Sequence, residues 1–156
     1  MEILLASDHR GINVRALILD YLLEQRQCSV LMINDEFPEN ADYPDIAARV
    51  ARSVSGGEAE RGILICGTGI GMAVVANKFP GIRAASCHNA VVAELSRKHN
   101  DSNVLCLSGD LLDERSSIEI VTAWLKTPFE SGRHSHRLEK IARIERENFR
   151  LPIHTR

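Results

Sequence analysis

Residues 61–71 read RGILICGTGIG, a run that is entirely apolar at its centre before Cys66 opens an alternation of glycines. Apolar runs of this kind are typical of strands buried on both faces of a parallel sheet. The glycines that follow allow the backbone to take positive φ and to approach a ligand closely. The stretch therefore predicts a buried strand, a glycine-rich turn and a helix that ends near Asn77.

The alternation of strand and helix extends in both directions from this stretch. Short apolar runs predict further strands at 2–6, 28–33, 82–85 and 103–107, and helical spacing of apolar residues predicts helices at 11–25, 45–55, 90–98 and 113–125. Strands separated in this way by helices favour parallel pairing through right-handed crossovers. The pattern predicts a single α/β domain over 1–156, a Rossmann-like three-layer sandwich with a five-stranded parallel sheet.

The composition excludes several classes of function. The chain has 156 residues, a net charge of −2 and only 4% aromatic residues, so no basic field or stacking surface is available for nucleic acid. No apolar stretch reaches the length of a membrane span, and the N-terminus lacks the pattern of a signal peptide. We therefore expect a cytoplasmic protein with neither nucleic acid nor membrane as partner.

Cys66 is the strongest candidate for chemistry. It lies where the buried strand meets the free amides of the following helix, a position that favours a thiolate and can hold an anion or a developing oxyanion. Two other interpretations remain open at this point. The glycines resemble a dinucleotide motif, although the required third glycine is replaced by Met72, and Cys66 can be an inert core residue. The four cysteines form no CxxC pair, so we predict free thiols and no structural zinc.

Other polar residues at loop positions are candidates, and each also has a structural interpretation. Asp8 and His9 follow the first strand, where a helix N-cap would explain them equally well. Tyr43 follows the loop after the second strand and can be a packing residue. His99 and Asn100 precede the fifth strand, where a histidine can act as an acid or base or can cap a helix.

The final segment, 130–150, is strongly charged and carries one narrow apolar stripe. Such a helix can cap its own domain or dock on a second subunit. Arg133 and Arg137 are four residues apart, so they share one helix face and can grip a phosphate or remain solvated. His134 and His136 are two apart and point to different faces, which argues against a metal site.

Taken together, these motifs resemble the type B ribose-5-phosphate isomerases, which share a family with the galactose-6-phosphate isomerase subunits. The resemblance rests on SDHRG at 7–11, DYP at 42–44, GGE at 56–58, GILICGTGIGMAVVANKFPGIRAA at 62–85, SRKHNDSNVL at 96–105 and GRHSHR at 132–137. It covers nearly the whole chain. It implies an aldose–ketose isomerase without cofactor or metal, a homodimer or tetramer whose active sites lie between subunits, and a C-terminal helix that docks on the dimer partner.

The resemblance also implies roles for individual residues. Cys66 would be the base that moves a proton between C2 and C1 through a cis-enediolate, which Thr68 and the amides of Gly67, Gly69 and Gly71 would stabilise. His99, with Asp8 nearby, would assist opening of the sugar ring. The remaining residues would bind substrate: His9, Arg133 and Arg137 the phosphate, and Tyr43 and Asn100 the sugar.

Two departures from the family pattern bear on the substrate. Asp110 stands where the family commonly has an arginine, and a carboxylate there would repel a phosphate unless it points away or Arg115 or Lys126 compensates. Residues 34–37 also differ in a loop expected to border the sugar. The leading hypothesis is interconversion of D-ribose 5-phosphate and D-ribulose 5-phosphate. The alternatives are isomerisation of erythrose, allose or galactose phosphate, and sugar-phosphate binding without catalysis.

Overall fold

The computed structural model describes residues 1–25, 28–33, 38 and 41–149. The strands are β1 (Glu2–Ser7), β2 (Ser29–Met32), β3 (Arg61–Cys66), β4 (Ala84–Ser86) and β5 (Val104–Ser108). The helices are α1 (Ile12–Gln25), α2 (Tyr43–Ser55), α3 (Ile70–Ala76), α4 (Ala90–Asn100), α5 (Glu114–Lys126) and α6 (Arg133–Asn148). These elements confirm the predicted Rossmann-like α/β fold with five strands.

The five strands form one parallel sheet in the order β2-β1-β3-β5-β4. Alternate side chains of the central strands face two separate apolar cores: Leu64 and Cys66 pack toward α2 and α3, whereas Ile63 and Ile65 pack toward α1, α4 and α5. Full burial of each such aliphatic side chain stabilises the fold by about 1.5–3 kcal/mol. The uninterrupted apolar run of β3 is therefore explained by burial on both faces.

Several element boundaries differ from the predicted ones. Helix α2 begins at Tyr43, because Asp42 is extended at the N-cap and Pro44 is tolerated in the first turn. Strand β4 begins two residues later than predicted, at Ala84, whose backbone exchanges two hydrogen bonds with the Asn77 side chain, both 2.9 Å long. Helix α4 continues to Asn100 and ends where Asp101 takes a left-handed conformation.

The charged C-terminal segment forms helix α6, which packs against α4. Within the described residues, its predicted apolar stripe remains half exposed, with Ile141 and Ile144 at 46% and 52%. Just before α6 begins, the Glu130 amide donates to the Lys98 carbonyl of α4 at 3.1 Å. Helix α6 is thus fixed near the C-terminal end of α4, with apolar side chains left on its surface.

No helix among the described residues is long and apolar enough to cross a membrane.

Candidate active site

The loops that follow β1, β3 and β5 meet at one edge of the sheet. Ser7 pairs in register with Ile65, and Cys66 pairs with Ser108, so the three strands end side by side. The Asp8 amide continues the pairing by donating to the Ile65 carbonyl at 3.1 Å. This edge is the position at which α/β sheets of this kind bind ligands.

An open cavity of about 450 Å³ lies at this edge. Its lining includes six of the predicted site residues: Asp8, Tyr43, Cys66, Gly67, Thr68 and Gly71. Arg10, Ile70 and Asp110 complete the lining. His9 is exposed and lies between two lining residues in the chain, but it does not itself line the cavity.

Cys66 lies at the floor of the cavity with only 5% of its surface exposed. Its sulfur accepts a hydrogen bond of 3.2 Å from the backbone N–H of Gly69. Gly69 has φ of +76°, and a Cβ there would lie 2.9 Å from the backbone carbonyl carbon of Leu107. Only glycine fits this turn, which aims a backbone donor at the thiol as the sequence predicted.

Tyr43 forms one wall of the cavity by packing against α3. A Cβ on Gly71 would lie 2.7 Å from Cε2 of the Tyr43 ring, so the absence of a side chain at Gly71 lets the ring approach the helix. Thr68 is exposed at the mouth, where its hydroxyl accepts a bond of 3.3 Å from the Ile70 amide. The cavity therefore combines an aromatic wall, a hydroxyl and a thiol.

The remaining cysteines lie in environments that disfavour a thiolate. Burial raises the pKa of the Cys87 thiol to about 11 and raises that of Cys106 well above its usual value. Partial burial also raises the pKa of Cys28. These three residues are structural thiols, in contrast to Cys66, which has a backbone donor and lines an open cavity.

Asp110 is paired with a cation, but neither of the two that the sequence suggested. Arg10 donates from Nε to Oδ1 of Asp110 at 3.2 Å and from Nη2 to Oδ2 at 2.5 Å. Arg115 instead binds Glu119 at 2.8 Å. The hydrogen bond and the charge of Asp110 raise the pKa of Arg10. Sequence reasoning missed Arg10, although its place in SDHRG after β1 was a usable signal.

The other predicted site residues lie at the opposite end of the sheet. His99 and Asn100 end α4, just before β5 begins, and Arg133 and Arg137 lie on the exposed surface of α6. Asn103, which follows this end of α4, accepts a hydrogen bond from the Gly62 amide in β3. Gly62 lies four residues before Cys66, a distance of about 13 Å along a strand. A single chain therefore does not bring this group to the cavity.

This second group is built around two stacked histidines. The rings of His99 and the buried His134 lie 4.3 Å apart at 7°, and Arg133 donates from Nε to Nε2 of His134 at 3.4 Å. Desolvation, followed by the positive charges of His99, Arg133 and Arg137, lowers the pKa of His134. We call these four residues together with Asn100 the cationic group.

The cationic group fits an anion better than a metal. Potential ligand atoms of His99, Glu130 and His134 lie within 4.8 Å of one another. However, lone pairs of nearly parallel imidazoles point in parallel directions and do not converge on one ion. The neighbouring arginines also oppose a cation.

The predicted loop difference at 34–37 lies outside the described residues.

The fold and site define a class of α/β protein in which a thiol and backbone amides share an open cavity beyond the carboxyl ends of parallel strands. The Ribose/Galactose Isomerase family profile matches residues 3–141, and the chain belongs to this family. The resemblance found from the sequence motifs is thereby confirmed, and the protein is a sugar-phosphate isomerase.

Individual relatives match over nearly their whole length. Ribose-5-phosphate isomerase B of Escherichia coli is 43% identical over 144 residues, which are 92% of this chain and 96% of the relative. The D-erythrulose-4-phosphate isomerase of Pectobacterium atrosepticum is 38% identical, covering 94% and 97%. The structure of ribose-5-phosphate isomerase B from Mycoplasma genitalium with bound ribulose-5-phosphate superposes with a TM-score of 0.86 at 41% identity, covering 94% and 97%.

Proposed function

We propose that this protein interconverts D-ribose 5-phosphate and D-ribulose 5-phosphate, with Cys66 as the base. The observation that carries the proposal is the Gly69 amide donating to the Cys66 sulfur at the floor of an open cavity. An N–H donor is a suitable partner for a sulfur that becomes negatively charged. Membership of the family and the ligand named for the Mycoplasma genitalium structure support a pentose phosphate as substrate.

In the proposed reaction, the Cys66 thiolate removes the proton from C2 of the open-chain aldose. The C2 electrons form a double bond to C1, and the aldehyde oxygen becomes part of a cis-enediolate. The thiol then returns a proton to C1 while the hydroxyl proton of O2 is transferred to O1, so O2 becomes the ketone oxygen, O1 becomes a hydroxyl, and no electron acceptor is consumed. Thr68 and the amides of Gly67 and Gly71 are the proposed donors to the enediolate oxygens.

We further propose that each active site is shared between two copies of the chain in a homodimer, alone or within a tetramer. His99, Asn100, Arg133 and Arg137 lie at the far end of their own sheet, and a second copy can supply them to the cavity. The exposed apolar residues Ile70 and Val74 on α3, beside the cavity, support burial of this surface in an interface. In this arrangement the partner's Arg133 and Arg137, with His9 beside the cavity, hold the phosphate. The partner's Asn100 contacts the sugar, and the partner's His99 with Asp8 assists ring opening.

A second candidate is isomerisation of another aldose phosphate by the same chemistry. One relative that matches this chain over nearly its whole length is named for a tetrose phosphate, D-erythrulose 4-phosphate. The cavity lining also contains the unpredicted Arg10–Asp110 pair, which can alter the sugar accepted. Binding of a sugar phosphate without turnover is the third outcome that an assay must separate.

The test of the proposed function is turnover of purified protein, without added metal or cofactor, on D-ribose 5-phosphate beside erythrose, allose and galactose phosphates. We expect D-ribulose 5-phosphate to form, and Cys66→Ala to reduce kcat by about 10²–10⁴-fold, the usual contribution of a general base. Cys28→Ala is the matched control, because this thiol lies outside the cavity, and it should retain activity. Full activity in Cys66→Ala would rule out Cys66 as the base.

The shared site is tested by mixing two inactive variants, Cys66→Ala and His99→Ala. Mixed dimers contain one site with both residues intact and one with neither. Equal mixing after dissociation should restore about one quarter of wild-type activity, because half of the dimers are mixed and each has one intact site. If mixing restores nothing while both variants still dimerise, Cys66 and His99 do not act across subunits.

A further inference from the structure

The loops after β1 and β5 lie in close contact at the rim of the cavity, since a Cβ on Gly109 would be 2.3 Å from the Arg10 carbonyl oxygen. The Ser108 hydroxyl donates to the Gly67 carbonyl at 2.5 Å and accepts from the Leu111 amide at 2.9 Å, which fixes the loop that carries Asp110. The Arg10 amide donates to Oδ1 of Asp8 at 2.9 Å, which fixes the loop after β1. The ion pair is therefore held from both sides.

The ion pair also lies directly over the residue that follows Cys66. A Cβ on Gly67 would be 2.8 Å from Oδ2 of Asp110 and 2.9 Å from Nε of Arg10. The side chains of Arg10 and Asp110 are 57% and 31% exposed, so both face the open cavity as well as each other. The pair therefore lies in the same cavity as Cys66, beside the residue that follows it.

The charges around the cavity argue against phosphate binding at this position. Among the described lining residues, the charged side chains are Asp8, Arg10 and Asp110, which sum to −1 when ionised. Asp110 neutralises the only guanidinium of this set by two hydrogen bonds. A phosphate dianion placed here would meet two carboxylates, whereas the cationic group at the other end of the sheet offers net positive charge.

We propose that the Arg10–Asp110 ion pair binds hydroxyl groups of the sugar and thereby selects which aldose phosphate this protein accepts. The inference rests on the proposed function, because it assigns a contact at the same cavity. It leaves the phosphate to Arg133 and Arg137 of a second copy and to His9.

The pair has the chemistry that hydroxyl recognition requires. Among the described contacts, the guanidinium uses Nε and Nη2 toward Asp110, so its Nη1 is available to donate to a hydroxyl. Each carboxylate oxygen has a second lone pair that can accept from a hydroxyl. Because the pair has no net charge, it favours neutral polar groups over anions. Its fixed position above Gly67 makes the contact sensitive to the number and configuration of the sugar carbons.

The experiment compares Arg10→Gln and Asp110→Asn with the wild type on D-erythrose 4-phosphate, D-ribose 5-phosphate and D-allose 6-phosphate. Asp110→Asn keeps the size of the side chain, Arg10→Gln shortens it but keeps it polar, and each removes one charge of the pair. The ratio of kcat/KM between the sugars should change at least about tenfold, the effect of losing a hydrogen bond to a substrate hydroxyl. Inorganic phosphate, used as a competitive inhibitor, should keep its inhibition constant within about twofold, because the pair does not bind phosphate.

The matched control is Arg115→Gln, which breaks another exposed arginine–carboxylate pair outside the cavity. It should leave the sugar selectivity and the phosphate inhibition unchanged. Thermal denaturation of every variant checks folding, and a second readout, binding of each sugar phosphate by calorimetry, covers any variant with weak turnover.

Three results would overturn the inference. A phosphate inhibition constant that rises in parallel with KM in Arg10→Gln would assign Arg10 to the phosphate. Unchanged selectivity in both variants would make the pair purely structural. If the wild type turns over no sugar phosphate, the proposed function fails. In that case, calorimetric binding selectivity that is the same in both variants as in the wild type would separately refute a role of the pair in sugar selection.

Discussion

Replacing Gly69 by alanine tests whether the turn after Cys66 is as tightly constrained as the structure indicates. Gly69 has φ of +76°, and an L-residue in this left-handed region costs about 1–2 kcal/mol. A Cβ would also lie 2.9 Å from the carbonyl carbon and 3.0 Å from the carbonyl oxygen of Leu107. Because those atoms are backbone of a central strand, they cannot rotate away, and overpacking adds about 1–3 kcal/mol.

The expected total for Gly69→Ala is therefore about 2–5 kcal/mol of unfolding free energy. With a urea dependence of about 2 kcal/mol per molar, the middle of the usual range, the unfolding midpoint should fall by roughly 1–2.5 M. Displacing the Gly69 amide also removes the donor to the Cys66 sulfur, so kcat should fall by about a hundredfold.

The chain offers a matched control in Gly57→Ala. Gly57 has φ of +77°, yet a Cβ there would meet nothing within 4 Å. Its cost should be the conformational part alone, about 1–2 kcal/mol, with full activity. Equal destabilisation by the two substitutions would refute the steric argument, and unchanged kcat in Gly69→Ala would separate the Gly69 amide from catalysis.

Further predictions concern the cavity wall, the buried thiols and acid stability. Gly71→Ala should push the Tyr43 ring out of place and raise KM for the sugar phosphate in steady-state assays; an unchanged KM would argue against Tyr43 as a substrate contact. Brief treatment of native protein with iodoacetamide should leave Cys87 and Cys106 unmodified by peptide mass spectrometry, since their raised pKa values keep them as buried thiols; rapid labelling of either would contradict this. Because the pKa of His134 is lowered below its ordinary 6.5, the unfolded chain binds a proton that the folded chain resists, so stability measured by urea titration should fall as pH drops below about 6.5. The decline should be shallower in His134→Gln, and an identical slope would assign it to other groups.

The sequence predicted the central strand without error because burial on both faces leaves a distinctive apolar run. Arg61–Cys66 was predicted with its observed ends. The start of the edge strand β4 was predicted two residues too early. Its apolar run is short and begins with Ile82, which packs into the core before the strand starts. The order of strands, with β5 between β3 and β4, depends on long-range pairing that local periodicity does not encode.

The candidate site was likewise predicted where its residues are close in sequence and missed where they are distant. Motif spacing found Cys66 and its glycine turn, because the chemistry and the local backbone coincide in consecutive residues. It did not find the partner of Asp110, because Arg10 is one hundred positions away and meets it only through the packing of two loops. The separation of His99 from Cys66 within one chain likewise follows from the direction of α4 across the sheet, which no local pattern specifies.

Proton transfer by Cys66 can be measured directly by deuterium exchange. D-ribose 5-phosphate incubated with enzyme in D₂O is followed by NMR for deuterium at C1 of the ribulose 5-phosphate formed. We expect incorporation with the wild type and with Cys28→Ala, and none above the uncatalysed rate with folded Cys66→Ala. Wild-type product without deuterium would mean only that the thiol passes the C2 proton to C1 before it exchanges with solvent. Continued incorporation, or isomerisation, by folded Cys66→Ala at the wild-type rate would contradict the role of Cys66.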